Sequence, residues 1–145
     1  MRSWMWRTVI ATVFIFVGVL VYGALPHISY STVQIRDHTI RVDIADTSES
    51  RAIGLGGRES LSKGEGMLFV FPDDGVYSFW MKDMVFAIDI LWISSEGEIV
   101  DLKENISPDT YPASFMPRSA ARYVLELPAG TVEEYGLELG DIVRL

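Results

Sequence analysis

The stretch Ile88–Leu102, IDILWISSEGEIVDL, decides the fold class of this chain. Its first six residues form a short apolar and β-branched run with one aspartate, which is typical of a buried strand. Residues 94–97, Ser-Ser-Glu-Gly, have the composition of a hairpin turn, and a second strand is expected from Glu98 to Leu102. The stretch therefore predicts a β-hairpin at the centre of a sheet-forming domain.

Short apolar runs that alternate with turn residues continue in both directions from this hairpin, which is the pattern of an all-β domain. Two short helices are also expected, one capped by Thr47 over Ser48–Leu55 and one that begins with a capping box at Thr131 and ends at Gly136. The predicted fold is mostly β (α+β), a compact β-barrel-like domain of about eight short strands and two short helices. The further expected strands are Gln34–Arg36, Thr39–Ala45, Met67–Phe71, Val76–Met81, Arg122–Leu127 and Ile142–Leu145.

The N-terminal segment predicts one transmembrane helix ahead of this domain. Val9–Leu25 carries no charge, and a helix of about 17 residues spans about 26 Å, close to the thickness of a bilayer's hydrocarbon core. Arg2 and Arg7 precede the run and no Lys or Arg follows it before Arg36, so the positive-inside bias places the rest of the chain outside the cytoplasm. A cleaved signal peptide, which would leave a secreted domain, is the alternative. We expect an anchor or signal peptide over residues 1–25, a linker over 26–32 and a globular domain over 33–145.

Charge and residue usage limit the class of partner. Arg2 and Arg7 are the only charged side chains before residue 26, so the remaining chain carries 10 of the 12 basic residues and all 20 acidic ones, a net charge of −10. Nucleic-acid binding needs a basic footprint, and we expect no nucleic-acid partner. The chain has no Cys and must fold without disulfides. We expect the domain to be a soluble monomer, with membrane contact through the N-terminal helix.

Sequence motifs for metal, nucleotide or triad chemistry are absent. The two histidines, His27 and His38, belong to no zinc-binding pattern. There is no G-x-S-x-G elbow and no phosphate-binding loop. We therefore expect no metal and no cofactor.

Two guanidinium groups near a glycine-rich turn form the first candidate ligand site. Arg51 and Arg58 flank Gly56 and Gly57, and two such groups can hold a carboxylate or a phosphate. Pairing of both arginines with the domain's own acids is the alternative.

The second candidate site is the run Phe79–Met84, FWMKDM. Strand alternation places Trp80 and Lys82 on one side of the chain, opposite Phe79 and Met81. If Phe79 and Met81 belong to the core, Trp80 is exposed beside a cation, which suits an anionic or aromatic ligand. A core tryptophan is the alternative, with Lys82 paired to Asp83 or Asp89.

The function expected from these features is a membrane-tethered, extracytoplasmic binding or accessory domain for a small-molecule or protein ligand. A hydrolase-like or lyase-like enzyme is the alternative, with Asp83, Asp89 or Glu126 as acid or base and Lys82 or Arg58 as electrostatic partner. A purely structural envelope domain is the third possibility. Convergence of these side chains in one cleft favours the enzyme, whereas surface ion pairs favour the structural domain.

Several segments that include these candidates occur in a recognisable order. They are Arg51–Arg58, Gly66–Phe71, Phe79–Met84, Asp89-Ile90, Tyr123–Glu126, Gly130 and Gly140-Asp141. In this arrangement the chain resembles domain-of-unknown-function family 192, whose prokaryotic members often carry a signal or anchor, over nearly all of Val33–Leu145. The resemblance implies a compact β-rich domain and no established activity. Asp83-Met84 stands where many members carry Asn-Thr, so a role for that side-chain amide does not carry over.

Overall fold

The computed structural model describes residues 31–145, so the predicted membrane segment and most of the predicted linker lie outside the described residues. No helix within 31–145 is long and apolar enough to cross a membrane. This range contains nine strands and two short α-helices. They are β1 Ser31–Ile35, β2 His38–Ala45, α1 Ser48–Ile53, β3 Glu65–Gly75, β4 Phe79–Trp80, β5 Ile88–Ile93, β6 Ile99–Ile106, β7 Ser114–Phe115, β8 Ala121–Pro128, α2 Thr131–Tyr135 and β9 Val143–Arg144.

Seven of these strands form one curled sheet in the order β6-β5-β8-β3-β2-β1-β9. Neighbouring strands are antiparallel except for the parallel pair β2 and β3. Glu98, before β6, forms a bridge with Ile142, before β9, and the Val143 amide donates to the Gly97 carbonyl at 2.7 Å. The two ends of the sheet therefore meet at one corner and the sheet closes into a half-barrel. The expected class, a mostly β barrel-like domain with two short helices, is confirmed.

The sheet is covered on both faces. All six residues of β5 are buried. Leu91 and Ile93 belong to one core cluster, while Ile90 and Trp92 belong to a second. Because neighbouring side chains of a strand point to opposite faces, the first cluster fills the inside of the half-barrel and the second covers its outer face.

The helices begin and end as short, capped elements. Thr47 caps α1 as predicted: its Oγ1 accepts from the Ser50 amide and Ser50 Oγ accepts from the Thr47 amide, each at 3.0 Å. The last residue of the helix is Ile53, with Gly54 as its C-cap, two residues before the predicted end at Leu55. The predicted capping box of α2 is wrong, because Gly130 is the N-cap and no side chain of the helix caps it.

The segment 72–81 differs most from the sequence expectation. The predicted turn over residues 72–75 belongs to β3, which continues to Gly75 through a register shift. Of the predicted strand Val76–Met81, only β4 is a strand, and its partner is β7, which the sequence did not predict. Tyr77 stacks on Phe71 with ring centroids 3.6 Å apart, so residues 76–78 fold back over β3 instead of extending along it. The start of β1 also absorbs Ser31 and Thr32, the last residues of the predicted linker.

Asp89 joins three parts of the domain. Its side chain is fully buried, and its oxygens accept from the backbone amides of Asn105 at 2.8 Å, Gly130 at 3.3 Å and Val132 at 2.9 Å. The carboxylate therefore caps the N-terminus of α2 from the neighbouring strand and also holds the end of β6. This contact replaces the side-chain cap that α2 lacks.

We expect Asp89→Ala to lower the free energy of unfolding by about 3 kcal/mol, because buried amides then lose their acceptor and each such loss costs about 1–3 kcal/mol. Urea-induced unfolding followed by far-UV circular dichroism measures the change. Asp73→Ala, at an exposed position of β3, is the control and should change the midpoint little. Equal midpoints for wild type and Asp89→Ala would contradict the bridging role of this carboxylate.

Candidate functional site

A cleft of about 890 Å³ opens on the outer face of the sheet, where α1 and the segment 76–84 approach each other. This volume lies in the range of small-molecule sites. Phe79 packs edge-to-face on Phe69, with ring centroids 4.8 Å apart, and its ring centroid is 6.2 Å from that of Trp92. These contacts fix the aromatic wall against the core. The aromatic side chains that line the cleft are Phe69, Phe71, Tyr77, Phe79 and Trp80.

Trp80 lies at the mouth of the cleft. It is 53% exposed, whereas Met81 is 1% exposed and Phe79 packs against the outer core. The predicted alternation is therefore confirmed, and the alternative of a core Trp80 is wrong. Lys82 Nζ lies 5.8 Å from the Trp80 ring centroid, within cation–π range, and Tyr111 lies beside the same ring at 5.9 Å.

Asp83 lines the cleft at a turn of the chain. Its φ of 59° is a left-handed conformation that Asp and Asn adopt more readily than other non-glycine residues. Its carbonyl accepts from the Gly57 amide at 2.9 Å. A Cβ on Gly56, next to Gly57, would lie 3.0 Å from the Ile53 carbonyl oxygen and 3.5 Å from the Lys82 carbonyl oxygen, so the backbones of the two segments pack closely here.

Arg51 forms part of the cleft wall and is held by backbone groups. Its Nη1 donates to the carbonyls of Asp46 at 2.6 Å and Val70 at 2.9 Å. Its guanidinium carbon lies 5.2 Å from the ring centroid of Phe71. Arg51 therefore ties α1 to β3 and adds a fixed positive charge to the cleft.

Two of the six predicted site residues do not line the cleft. Arg58 pairs with Asp43 at 2.7 Å, the ion-pair alternative considered for it. Asp89 is occupied by backbone amides on the side of the sheet where α2 lies. Arg51, Trp80, Lys82 and Asp83 do line it, so the structure brings together four of the six.

Glu126 is the further residue that the structure adds to the cleft lining. The sequence marked it only as one of several acids for an enzyme. Its side chain is 5% exposed, and its Oε2 has no hydrogen-bond partner within the described part of the chain. Burial raises the pKa of Glu126 to about 8, although the positive charge of Arg58 acts in the opposite direction. An acid inside the apolar run of β8 is the sequence signal that could have found it.

Fold and site together define a class: a small β-rich half-barrel domain with an aromatic cleft on its outer face and a buried carboxyl in the cleft wall. The chain belongs to domain-of-unknown-function family 192, a family described as uncharacterized, whose sequence profile matches residues 31–145. The resemblance seen in the sequence is thereby confirmed.

Relatives and solved structures extend the comparison. The chain is 31% identical over 108 residues to a UPF0127 protein of Thermococcus sibiricus. The match covers 71% of this chain and 64% of the relative, so this chain spans less than two thirds of the relative's length. It is 30% identical to a UPF0127 protein of Pyrococcus furiosus, over 70% of this chain and 84% of that one.

Two crystal structures share the fold. A Sinorhizobium meliloti protein described as a candidate transcription regulator is 34% identical with a TM-score of 0.76, over 81% of this chain and 96% of that one. A Novosphingobium aromaticivorans protein of unknown function is 24% identical with a TM-score of 0.77, over 84% and 89%. At 24% identity, the similarity to the Novosphingobium aromaticivorans protein shows only that the two proteins share a fold.

The raised pKa of Glu126 predicts a pH dependence of stability. Between about pH 4.5 and 8 the carboxyl is protonated in the folded state and ionised in the unfolded state, so the folded state binds more protons and stability falls as pH rises. Over this window the loss is on the order of 3–5 kcal/mol. We expect Glu126→Gln to remove this fall, so that its stability relative to wild type increases from pH 5 to pH 8. Urea unfolding at a series of pH values measures it, and parallel profiles for the two proteins would contradict a buried, neutral Glu126.

Proposed function

We propose that this protein is a binding domain whose cleft takes a small organic anion with an apolar or aromatic body. The observation that carries the proposal is the exposed Trp80 with the Lys82 ammonium beside its ring, at the mouth of a cleft of small-molecule size. Large exposed aromatic side chains beside a concave surface are typical of binding sites.

The charges around the cleft favour an anion. Arg51 and Lys82 line it as cations, against one exposed carboxylate, Asp83. Arg58 lies close enough to act on Glu126, although Asp43 neutralises it. The aromatic wall supplies apolar contact area, and the cations supply the attraction for the charged end of the ligand. A ligand with both parts uses both features of the cleft.

The enzyme alternative is supported by Glu126, since a raised carboxyl pKa is a feature of general acids. Acid–base catalysis needs further groups within hydrogen-bond reach of the reacting atoms. Glu126 Oε2 has no such protein partner within residues 31–145, and Asp89 is occupied elsewhere. Lys82 and Asp83 line the cleft with Glu126, whereas Arg58 and Asp89 do not, so the convergence that favours an enzyme is incomplete.

The Sinorhizobium meliloti protein is described as a candidate transcription regulator, and nucleic-acid binding, the most direct route to such a role, is less well supported here. The residues after 25 carry 20 acids against 10 bases. In the described range Arg36, Arg41, Arg58, Lys63, Arg118 and Arg122 all pair with acids of the domain itself. A binding surface for a polyanion needs unpaired cations on one face.

We also propose that the domain is tethered to the membrane and lies outside the cytoplasm. The support is the uncharged run Val9–Leu25 behind Arg2 and Arg7. In this arrangement the domain meets its ligand in the cell envelope. Cleavage of the same segment as a signal peptide would release the domain instead.

The ligand site is tested with naphthalene-2-sulfonate, an aromatic anion that stays ionised at neutral pH, added to the full chain in phosphatidylcholine nanodiscs. Isothermal titration calorimetry at pH 6.5, with empty nanodiscs as the blank, should show saturable binding. We expect Trp80→Ala and Lys82→Gln each to weaken it about tenfold or more, because each removes one of the two features that hold the probe. Leu139→Ala and Lys103→Gln, exposed residues that do not line the cleft, are the matched controls.

Unfolding measurements separate binding from stability. Trp80→Ala should change the urea midpoint little, whereas Trp92→Ala, which truncates a fully buried ring, should cost about 3–5 kcal/mol. A loss of that size for Trp80→Ala, or equal weakening of binding in the control variants, would contradict the proposed site.

The topology has a separate test. Protease added to intact spheroplasts that express the full chain should remove the domain, because residues after 25 face away from the cytoplasm. A cytoplasmic marker protein in the same cells should stay intact. Full protection of the domain until the spheroplasts are lysed would show that the orientation is wrong.

A further inference from the structure

Glu126 occupies a position in the cleft that folding alone does not explain. It lies on β8, opposite Met67 of β3 and Ile90 of β5. Both of these neighbours belong to the outer core, so its side chain points to the face on which the cleft lies. A buried polar group normally has a hydrogen-bond partner, and Oε2 has none within residues 31–145. An apolar side chain at this position would pack against the outer core equally well.

The charged groups around Glu126 come from α1 and the residues that follow it, from β2 and from the segment after β4. Arg58, in the turn after α1, acts on it electrostatically and is neutralised by Asp43 of β2. Lys82 and Asp83, after β4, and Arg51 of α1 line the same cleft. The strand partners on either side, Met67 and Ile90, carry no charge. Within residues 31–145, Glu126 forms no ion pair that would hold it in its charged form.

We propose that the Glu126 carboxyl donates a hydrogen bond to the anionic end of the ligand, and that loss of its proton to solvent releases the ligand. This inference rests on the proposed function, since it assigns the regulation of that same cleft. A neutral carboxylic acid is a donor, and a hydrogen bond from it to an anion is among the strong ones. An ionised Glu126 accepts only and repels the same anion.

The chemistry predicts the direction of the pH dependence. Glu126 carries its proton up to its pKa of about 8, so the cleft binds the anion below that pH and loses this binding above it. If the protonated form alone binds, the apparent Kd is the intrinsic Kd divided by the protonated fraction. Affinity should therefore fall about tenfold between pH 6.5 and pH 9.

Of the two histidines, His38 lies away from the cleft. The chain has no Cys. His38 stacks on Tyr135 of α2, with ring centroids 3.6 Å apart, and Tyr135 packs on the inner core. His27 lies outside the described residues, and His38→Gln serves as the control within the described range.

The test is the affinity of naphthalene-2-sulfonate for the full chain in phosphatidylcholine nanodiscs at pH 6.5, 7.5, 8.5 and 9. The sulfonate does not titrate in this range, so any change belongs to the protein. We expect wild type and His38→Gln to lose about tenfold in affinity from pH 6.5 to 9. Glu126→Gln keeps a donor that does not ionise, so it should bind at pH 6.5 and keep that affinity at pH 9.

The outcomes separate this inference from the function on which it rests. Binding by wild type with the same affinity at pH 6.5 and 9 overturns the role of Glu126 and leaves the proposed function standing. The same follows if Glu126→Gln keeps the wild-type fall. If Glu126→Gln fails to fold, the dependence of the wild-type affinity on pH tests the role of Glu126 by itself. Absence of binding by wild type at every pH overturns the proposed function, and this inference falls with it.

Discussion

Burial of the central strands on both faces is the constraint on which the rest of this structure depends. β5 has no exposed residue, and β8 has a continuous buried run from Val124 to Leu127. Strands of this kind are stable only if both faces of the sheet are covered. Curling of the sheet covers the inner face. The outer face is covered by α1, by the segment 76–84 and by the pair β4 and β7, and the cleft lies where these pieces meet incompletely.

The domain contains three buried carboxyl groups with different surroundings. Asp89 accepts from three backbone amides, and Asp101 accepts from the Arg118 amide at 2.8 Å and from its guanidinium. Burial acts to raise the pKa of Asp101, but the hydrogen bonds from Arg118 outweigh it and hold that pKa below its usual range. Glu126 Oε2 has no comparable donor within residues 31–145. The first two carboxylates hold connections of the fold together, whereas the third lines the cleft.

The cleft combines parts that come from distant positions in the chain. Trp80 and Lys82 come from the β4 segment, Arg51 from α1 and Glu126 from β8. The Asp83 carbonyl accepts from the Gly57 amide, which joins the two segments that flank the opening. The proposed ligand, an anion with an apolar body, would use the wall, the cations and the protonated acid together. In the proposed location outside the cytoplasm, the proposed proton dependence would make binding respond to the pH there.

The sequence by itself determined the mostly β class, the family, the hairpin of β5 and β6, the cap at Thr47 and the alternation that sets Trp80 opposite Phe79 and Met81. These are local properties, since period-two alternation, turn residues and capping side chains act over a few neighbouring residues. The predicted linker, the helix end at Gly56 and the capping box at Thr131 differ from the structure by short distances along the chain. The tertiary structure decided which candidates meet. In the sequence Asp89 is a candidate catalytic acid, but in the structure the amides of α2 donate to its carboxylate. Glu126 is visible in the sequence as an acid inside an apolar run, but only the tertiary structure shows that it lines the cleft. Both outcomes depend on contacts across about 40 residues or more, and no local pattern encodes which buried acid finds donors and which does not.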